Sequence, residues 1–318
     1  MSLSGVALET LEHEGREGLD EEVAAKIEGR STWQLAWTRL KHDRAAIISF
    51  VVIVLIVLSA IFAPVFASIT GHGVNQQFRT TGLSPTGLPV GPGGKFLLGT
   101  DDQGRDLLVR IAYGARISLF VGVVATLATV AIGAVLGLIA GFVGGIADTI
   151  IARLVDLVLS LPYLLFAISL VSISRPSLTI VIIVIAAFGW AAVARIIRGQ
   201  VLSIKEKEYV EAARSLGAGT WRIMFIDILP NVTAQLIVYA TLLIPVSIVA
   251  EASLSFLGLG VPPPTADWGQ MLAEAQTVYQ QAWWFLVFPG LALVITTLAF
   301  NVFGDGVRDA LDPRLDRM

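Results

Sequence analysis

Long, almost uncharged hydrophobic runs dominate this sequence and restrict the folds open to it. A helix needs about 20 consecutive apolar residues to cross a bilayer. Six segments meet this requirement: 46–67, 117–143, 149–172, 177–197, 232–258 and 284–304. Backbone groups cannot stay unpaired in lipid, and these runs are too long for the strands of a barrel. The sequence therefore predicts an all-α integral membrane protein with six transmembrane helices.

The composition excludes several functional classes. Only 15% of the residues are charged, against about a quarter in soluble domains, and the formal net charge of −3 gives no basic footprint for nucleic acid. The absence of cysteine excludes disulfides and thiolate metal sites. His13, His42 and His72 are scattered, and no hydrolase or metalloprotease motif surrounds them. We therefore expect a protein that is not an enzyme, with no catalytic residue, no metal site, no bound cofactor and no nucleic-acid partner.

Lysine and arginine are distributed unevenly about the apolar runs. If the N-terminus lies in the cytoplasm, sixteen of these residues fall on the cytoplasmic side and six outside. Five of the six outer residues lie in one long loop, where the positive-inside rule has least weight. The distribution predicts a multi-pass protein with both termini in the cytoplasm.

The same pattern divides the chain into four parts. Residues 1–31 carry eight acidic side chains and little apolar surface, which is typical of a solvated tail. Trp33, Trp37 and Leu40 recur at helical spacing beside basic residues, which predicts a helix lying at the lipid interface. The predicted parts are a cytoplasmic tail with this helix (1–45), the first span with an outer loop (46–116), a five-helix core (117–304) and a cytoplasmic tail (305–318).

A charged stretch between the fourth and fifth runs interrupts the core. Residues 208–231 read EYVEAARSLGAGTWRIMFIDILPN. Gly217 and Gly219 provide the positive φ angles that end a helix and begin a turn, and Pro230 is expected to end a second helix. One face of the first helix presents Tyr209, Ala213 and Leu216, and one side of the second presents Trp221, Phe225 and Ile228. The pattern predicts two short amphipathic helices that offer an apolar surface to a groove on a partner protein.

Three other roles compete with this interpretation of the stretch. A plain connector is disfavoured because about 34 residues separate the two runs, whereas helix–helix connections usually span 2–8. A DNA-binding helix-turn-helix is disfavoured because residues 195–231 hold six basic and four acidic side chains. A helix lying flat on the lipid stays open from the pattern alone.

A second polar motif, GTDDQGRD at residues 99–106, precedes the second run at the outer side of the membrane. Asp101 is expected to cap the helix that follows, and Arg105 is expected to pair with a carboxylate. Two roles remain open, a structural latch that orders the loop against the helices and a direct contact with substrate. Helix caps are common in proteins, so the latch is the favoured role.

Charged residues inside the spans are rare and often functional. Arg153 and Asp156 stand three residues apart in the third run and are interpreted as an ion pair. Glu251 lies in the fifth run near Ser253 and Ser255, with no cation within one helical turn. Glu251 and Ser253 are therefore candidates for a translocation pathway, and a hydrogen bond from Glu251 to a neighbouring helix is the equally weighted alternative.

Three glycines spaced by four residues occur in the second run. They place small residues on one helix face, and such a face permits close approach of another helix. Packing is favoured over a pore-lining groove as the role of Gly133, Gly137 and Gly141.

Three segments of the chain resemble a known family. The charged stretch is similar to the EAA coupling loop of ABC-importer permeases, here within residues 200–231. The matching positions are Glu211, Ala212, Ala213, Gly217, Ile228, Leu229 and Pro230. Asp227 departs from the general consensus, which has an apolar residue there, although the peptide branch often has a polar one.

The other two segments narrow the resemblance to dipeptide/oligopeptide permeases of the C-subunit type. Residues 98–119 resemble the GTDxxGRD signature, and residues 250–272 resemble the end of the fifth span and the loop after it. The signature loop consists here of Asp101, Gly104, Arg105 and Asp106. The resemblance extends over nearly the whole chain from about residue 32.

This resemblance implies the type I ABC importer permease fold, MetI-like, with an extra N-terminal helix. It implies a subunit that forms half of a translocation pathway for di- or oligopeptides in a bacterial or archaeal cytoplasmic membrane. The implied partners are a B-type permease subunit, two ABC ATPase subunits that use ATP and Mg²⁺, and an extracytoplasmic solute-binding protein, besides membrane lipid. The coupling loop would seat on an ATPase and convert its closure into alternating access.

Two alternatives accompany this expectation. Related permeases carry nickel chelates, glutathione or sugars, so the solute is open. A secondary transporter driven by an ion gradient is a different class, for which we would expect an inverted repeat, helices broken at mid-membrane and a buried ion site. The sequence gives no convincing sign of these features.

Overall fold

The computed structural model describes residues 32–312, and the predictions for the tail 1–31 and for residues 313–318 fall outside the described residues. Within the described range the protein is helical and forms no extended strand. The helices before the core are α1 (Thr32–Leu40), α2 (Arg44–Ile61) and α3 (Ala63–Thr70). They are followed by α4 (Leu107–Val143), α5 (Gly145–Ser160), α6 (Tyr163–Ser174), α7 (Leu178–Ile204), α8 (Glu208–Ser215) and α9 (Thr220–Arg222). A π-helical segment (Ile223–Ile228) leads into α10 (Leu229–Phe256), and α11 (Trp268–Ala275) and α12 (Trp283–Leu311) complete the chain.

Five helices of the described chain are long and apolar enough to cross a membrane. They are α2, α4, α7, α12 and the continuous helix Thr220–Phe256 that contains α10. A sixth span exists if α5 and α6 are taken together, although they are bent by 92°. The all-helical membrane fold is therefore confirmed.

The third span is not the single helix that its apolar run suggested. It breaks at Leu161 and Pro162, and Leu161 has extended backbone angles (φ −82°, ψ 134°). Proline disfavours helical angles in the residue before it and carries no N–H for the helical ladder. The run 149–172 thus divides into two helices at Pro162.

Close packing of α4 against α7 forms the centre of the bundle. Val193 and Val201 of α7 lie against the glycine face of α4, and a Cβ atom added to Gly137 would stand 2.7 Å from the carbonyl oxygen of Ala194. The face consists of Gly133, Gly137 and Gly141. The packing role predicted for these glycines is confirmed.

The N-terminal helices attach to the outside of this bundle. α2 packs along α12, and α12 packs along α10, which in turn contacts α4. The guanidinium group of Arg116 on α4 donates to the carbonyl oxygens of Ala60 and Ile61 at 2.5 and 2.8 Å. Because these carbonyls belong to the last turn of α2, Arg116 fixes the added helix to the core.

The outer loop between α3 and α4 is ordered by an aromatic cluster. The ring of His72 lies 4.6 Å from that of Phe78 and 4.9 Å from that of Phe96. Trp284 at the start of α12 donates its indole N–H to the carbonyl oxygen of Thr100 at 3.2 Å. The loop therefore forms a fixed cover over the outer ends of α4 and α12.

Candidate functional site

We call residues 208–231 the coupling stretch, after the role that the resemblance implies. It begins with α8 and the turn that follows it. Gly217 has a φ of 81°, and its N–H donates to the carbonyl oxygen of Arg214. This left-handed position is the one predicted for it and ends α8. Gly219 was predicted to have a positive φ as well, but its angles (φ −69°, ψ 153°) are extended. One left-handed residue is enough to turn the chain, so Gly219 instead precedes α9 as its N-cap.

The second helix of the stretch does not end at Pro230. It continues through the π-helical segment into α10, and the N–H of Leu229 donates to the carbonyl oxygen of Met224, five residues earlier. The wider π turn accommodates the backbone ahead of the proline ring. The side-chain amide of Asn231 donates to the carbonyl oxygen of Asp227 at 2.6 Å. The prediction that Pro230 stops this helix is wrong, and the coupling stretch is joined rigidly to the fifth span.

One side of the coupling stretch is buried against the bundle. Val210, Ile223, Met224 and Ile228 are fully buried and pack against α4 and α7. Ile228 was expected to share the outward side with Trp221 and Phe225, which is wrong because the π turn rotates it inward. Of the remaining motif positions, Ala213 and Leu229 are partly buried against the same cluster, whereas Glu211, Ala212 and Pro230 are exposed.

The opposite side presents an apolar surface to solvent. Leu216 is 89% exposed and Trp221 66% exposed. The rings of Trp221 and Phe225 stack 5.6 Å apart at an interplanar angle of 13°. We define the coupling surface as Tyr209, Leu216, Trp221 and Phe225, all of them exposed. Large apolar side chains exposed in this way on one loop are typical of a docking site.

Asp227, the departure from the EAA consensus, lies near the coupling surface. Partial burial raises the pKa of the Tyr209 hydroxyl, and the negative charge of Asp227 raises it further. Asp227 is itself half-buried. Asp227 therefore lies within electrostatic reach of Tyr209 on α8.

Glu251 occupies the interior of the protein. Its side chain has no exposed surface, and it accepts hydrogen bonds from Ser255 at 2.8 Å and from Ser118 of α4 at 3.2 Å. The hydroxyl of Ser118 also lies 3.4 Å from the carboxylate of Asp267, which caps α11. The contacts of Glu251 match the alternative in which it bonds a neighbouring helix. Neither Ser118 nor Asp267 was identified from the sequence, because both lie far from Glu251 along the chain.

Ser253 is placed apart from this cluster. Its hydroxyl donates to the carbonyl oxygen of Val249 on its own helix at 2.7 Å. It lines a shallow groove on the surface of the chain with Leu164, Phe256 and Leu257. The two candidate pathway residues therefore point to different environments, one internal and one open.

The outer signature loop is held by a buried ion-pair network. Asp101 accepts from the backbone N–H groups of Gln103 and Arg105, both at 2.9 Å, and pairs with the guanidinium groups of Arg105 and Arg110 at 2.5 and 3.2 Å. Arg105 also pairs with Glu274 of α11 at 3.1 Å. The predicted ion pair of Arg105 is confirmed, and its contacts are those of a latch between the loop and α11.

The helix cap in this loop differs from the prediction. Asp106, not Asp101, caps α4 by accepting from the N–H of Val109, and its other oxygen bonds His72 at 2.6 Å. Asp101 instead closes the turn that contains Gly104, which has a φ of 74°. Asp106 directly precedes the helix, so only its side chain stands at the N-cap position.

Three acidic groups of this network come within 4.8 Å of one another, a spacing that would suit a cation. Burial raises the pKa of Asp102 and of Glu274 from their ordinary values, and the guanidinium groups of Arg105 and Arg110 oppose both shifts. These two arginines supply the positive charge that the carboxylates require. The third acidic group is Asp101.

The charged residues of the third span are paired differently from the prediction. Asp156 of α5 accepts from Arg195 of α7 at 2.6 Å, so the proposed pair with Arg153 is wrong. Eight residues earlier on α5, Asp148 pairs with Arg198 of α7. Spacing along one helix gave no indication of these partners, because α7 lies beside α5 only in the folded bundle.

Comparison with known proteins places the chain among transport permeases. Residues 133–317 match the family described as the binding-protein-dependent transport system inner membrane component. Residues 31–85, which contain α1 to α3, match the N-terminal TM domain of oligopeptide transport permease C.

Individual relatives are similar over nearly their whole length. The di/tripeptide transport system permease protein DppC of Pseudomonas aeruginosa is 44% identical over 88% of this chain and 91% of its own. The oligopeptide transport system permease protein OppC of Bacillus subtilis is 43% identical over 90% of both chains. OppC of Escherichia coli strain K12 is 43% identical over 91% of this chain and 93% of its own.

Proposed function

We propose, because this chain belongs to the family of binding-protein-dependent transport system inner membrane components, that it is a permease subunit of an ATP-driven importer of di- or oligopeptides. The near-full-length similarity to permease proteins named for di/tripeptide and oligopeptide transport carries the proposal. The match of α1 to α3 to the N-terminal segment of a permease of the C type supports the same subunit identity.

The coupling surface supports a role for the EAA loop in energy transfer. Its four side chains are exposed. The other side of the same segment is buried, and Val210, Ile223 and Ile228 anchor it to the bundle. Force applied to the surface would pass through the π-helical segment into α10 without an intervening flexible joint. In this proposal the surface seats in a groove of an ATPase subunit, and closure of the ATPases on ATP and Mg²⁺ moves the spans.

The complete importer would contain this chain, a B-type permease subunit, two ABC ATPase subunits and an extracytoplasmic solute-binding protein. This chain would supply half of the translocation pathway. Its place would be the cytoplasmic membrane of a bacterium or archaeon, with both termini and the coupling surface in the cytoplasm. The excess of lysine and arginine on that side supports this orientation.

The proposal is tested in proteoliposomes that contain the complete importer, with loaded binding protein outside and ATP on the ATPase side. Wild-type complex should accumulate peptide only when ATP is present. Leu216→Ala and Trp221→Ala should lower peptide uptake and binding-protein-stimulated ATPase about five- to ten-fold, since exposed apolar anchors dominate docking energies.

Leu55→Ala provides the matched control, because Leu55 is exposed on α2, far along the chain from the coupling stretch. It should leave both rates unchanged. Equal rates in wild type, Leu216→Ala and Trp221→Ala would exclude the coupling role. Uptake that needs an ion gradient but no ATP would exclude the ATP-driven importer.

A further inference from the structure

A cavity of about 300 Å³ lies directly at the break between α5 and α6. Its walls come from both sides of the break and from α4, α7 and α10. Its lining includes Thr129, Leu161, Tyr163, Gly189 and Ser247. The cavity is open on one side to the surface of the chain.

The break lies near the middle of the membrane. Thr129 stands next to the midpoint of the apolar run 117–143, and the ring of Tyr163 packs 5.6 Å from that of Phe188 in the middle of α7. Backbone breaks at this depth occur where the chain is covered by protein or lines a water-filled space, not against lipid. The cavity therefore faces a partner subunit or an aqueous pathway.

The break also leaves hydrogen-bond donors unused. The first free N–H groups of α6 belong to Tyr163 and Leu164, and neither has an acceptor within residues 32–312, whereas Leu165 and Phe166 donate to the carbonyl oxygen of Pro162. Pro162 offers no side-chain cap. The N-terminus of this 12-residue helix therefore presents two unpaired donors and a partial positive charge at mid-membrane.

Two hydroxyl groups at the cavity lack partners as well. Thr129 is only 2% exposed, and its Oγ1 atom has no hydrogen-bond partner; the hydroxyl of Tyr163 is likewise buried and unpaired. The neighbouring hydroxyls of Thr126 and Ser247 bond each other at 2.9 Å. Buried polar groups are nearly always paired, so two unpaired hydroxyls at one cavity indicate that a ligand group forms hydrogen bonds with them.

We propose that this cavity holds the C-terminal carboxylate of a peptide during its passage. Thr129 and Tyr163, which carry the two unpaired hydroxyls, line the cavity together, and the free N–H groups of α6 begin at Tyr163. No Lys, Arg, Asp or Glu is among the cavity residues in the described part of the chain. Neutral donors at a helix N-terminus bind a carboxylate without the strong attraction of an arginine, which favours release as well as binding. The inference rests on the proposed function and names the contact site for its substrate.

Thr129→Val and Tyr163→Phe test the site in the complete importer. Each removes one unpaired hydroxyl and keeps nearly the same shape, so thermal unfolding of the complex should occur at the same or a higher temperature. Uptake of a peptide with a free C-terminus should fall about five- to ten-fold. Uptake of the same peptide as its C-terminal amide, supplied on saturating binding protein, should change much less.

Thr296→Val and Tyr279→Phe are the matched controls. Thr296 is buried, but its hydroxyl already donates to the carbonyl oxygen of Ala292 at 2.6 Å, and Tyr279 is exposed outside the spans. Uptake per folded complex should be unchanged in both.

Three results would overturn the inference. They are unchanged uptake in Thr129→Val and Tyr163→Phe, an equal loss for the acid and the amide, and a loss of uptake that parallels a loss of thermal stability. Wild-type complex that takes up no peptide with ATP would instead refute the proposed function itself. The two failures are therefore distinguishable.

Discussion

At the scale of single residues, the carboxyl group of Glu251 illustrates how burial decides a role. One hydroxyl, that of Ser118, reaches the carboxyl oxygens of both Glu251 and Asp267, and all three side chains are buried. Two carboxylates brought this close repel each other unless a proton or a neutral group intervenes. The cluster joins α10, α4 and α11, which indicates a structural junction beneath the outer loop.

Glu251→Gln should therefore preserve the junction. The amide keeps a hydrogen-bond acceptor for Ser255 and removes one of the two charges, so the free energy of unfolding should change by less than about 0.5 kcal/mol. Glu251→Ala should cost about 2–4 kcal/mol, because it leaves a cavity and strands two buried hydroxyls. Thermal melting of the purified complex measures both effects.

Peptide uptake separates this junction from the pathway alternative. A structural Glu251 predicts normal uptake in Glu251→Gln and loss in Glu251→Ala only to the extent that folded complex is lost. Strongly reduced uptake in a fully stable Glu251→Gln complex would assign Glu251 to the translocation pathway instead.

At the scale of the elements, the glycine face of α4 sets the distance to α7. Gly137→Ala should destabilise the protein by about 1–3 kcal/mol, because the new methyl group meets the backbone oxygen of Ala194 at 2.7 Å and this oxygen cannot move without α7. Gly199→Ala on α7 is the control, since no atom lies within 4 Å of its added Cβ. The control should be neutral or slightly stabilising, because alanine favours the helix more than glycine does. Unfolding temperatures that are equal for the two variants would contradict the close-packing role.

The helices also show which structural features can be predicted from the sequence. Hydropathy and length predict the spans because each run must satisfy its own backbone in lipid, whatever its neighbours are. The break at Pro162 had a visible signal, the proline itself, but prolines also occur within continuous spans, as Pro245 and Pro289 do here. The π-helical segment before Pro230 left no comparable mark in the sequence.

Within the candidate site, local features were predictable and distant contacts were not. The positive φ of Gly217 and the ion pair of Arg105 follow from short-range geometry, and both are confirmed. The partner of Asp156 and the burial of Ile228 depend on how helices pack. These two predictions are wrong for that reason.

Across the molecule as a whole, the contacts of the arginines agree with the unequal distribution of lysine and arginine about the spans. Of the six cations on the proposed outer side, Arg105 and Arg110 are bound to carboxylates and Arg116 caps α2. These three are held by internal contacts, so they contribute little to the choice of orientation. The coupling stretch lies at the opposite ends of the spans from this outer network, as the proposed coupling across a membrane requires.

Orientation can be measured directly because the chain contains no cysteine. Single cysteines at Thr86 in the outer loop, at Glu206 before α8 and at Asp309 near the end of α12 would each be exposed in the folded chain. A membrane-impermeant thiol reagent should label Thr86→Cys in intact cells, and should label Glu206→Cys and Asp309→Cys only after the membrane is permeabilised. Retained peptide uptake by each variant would show that the fold is intact. Labelling of Glu206→Cys or Asp309→Cys in intact cells would place the coupling surface on the same side as the binding protein, where no ATPase could reach it.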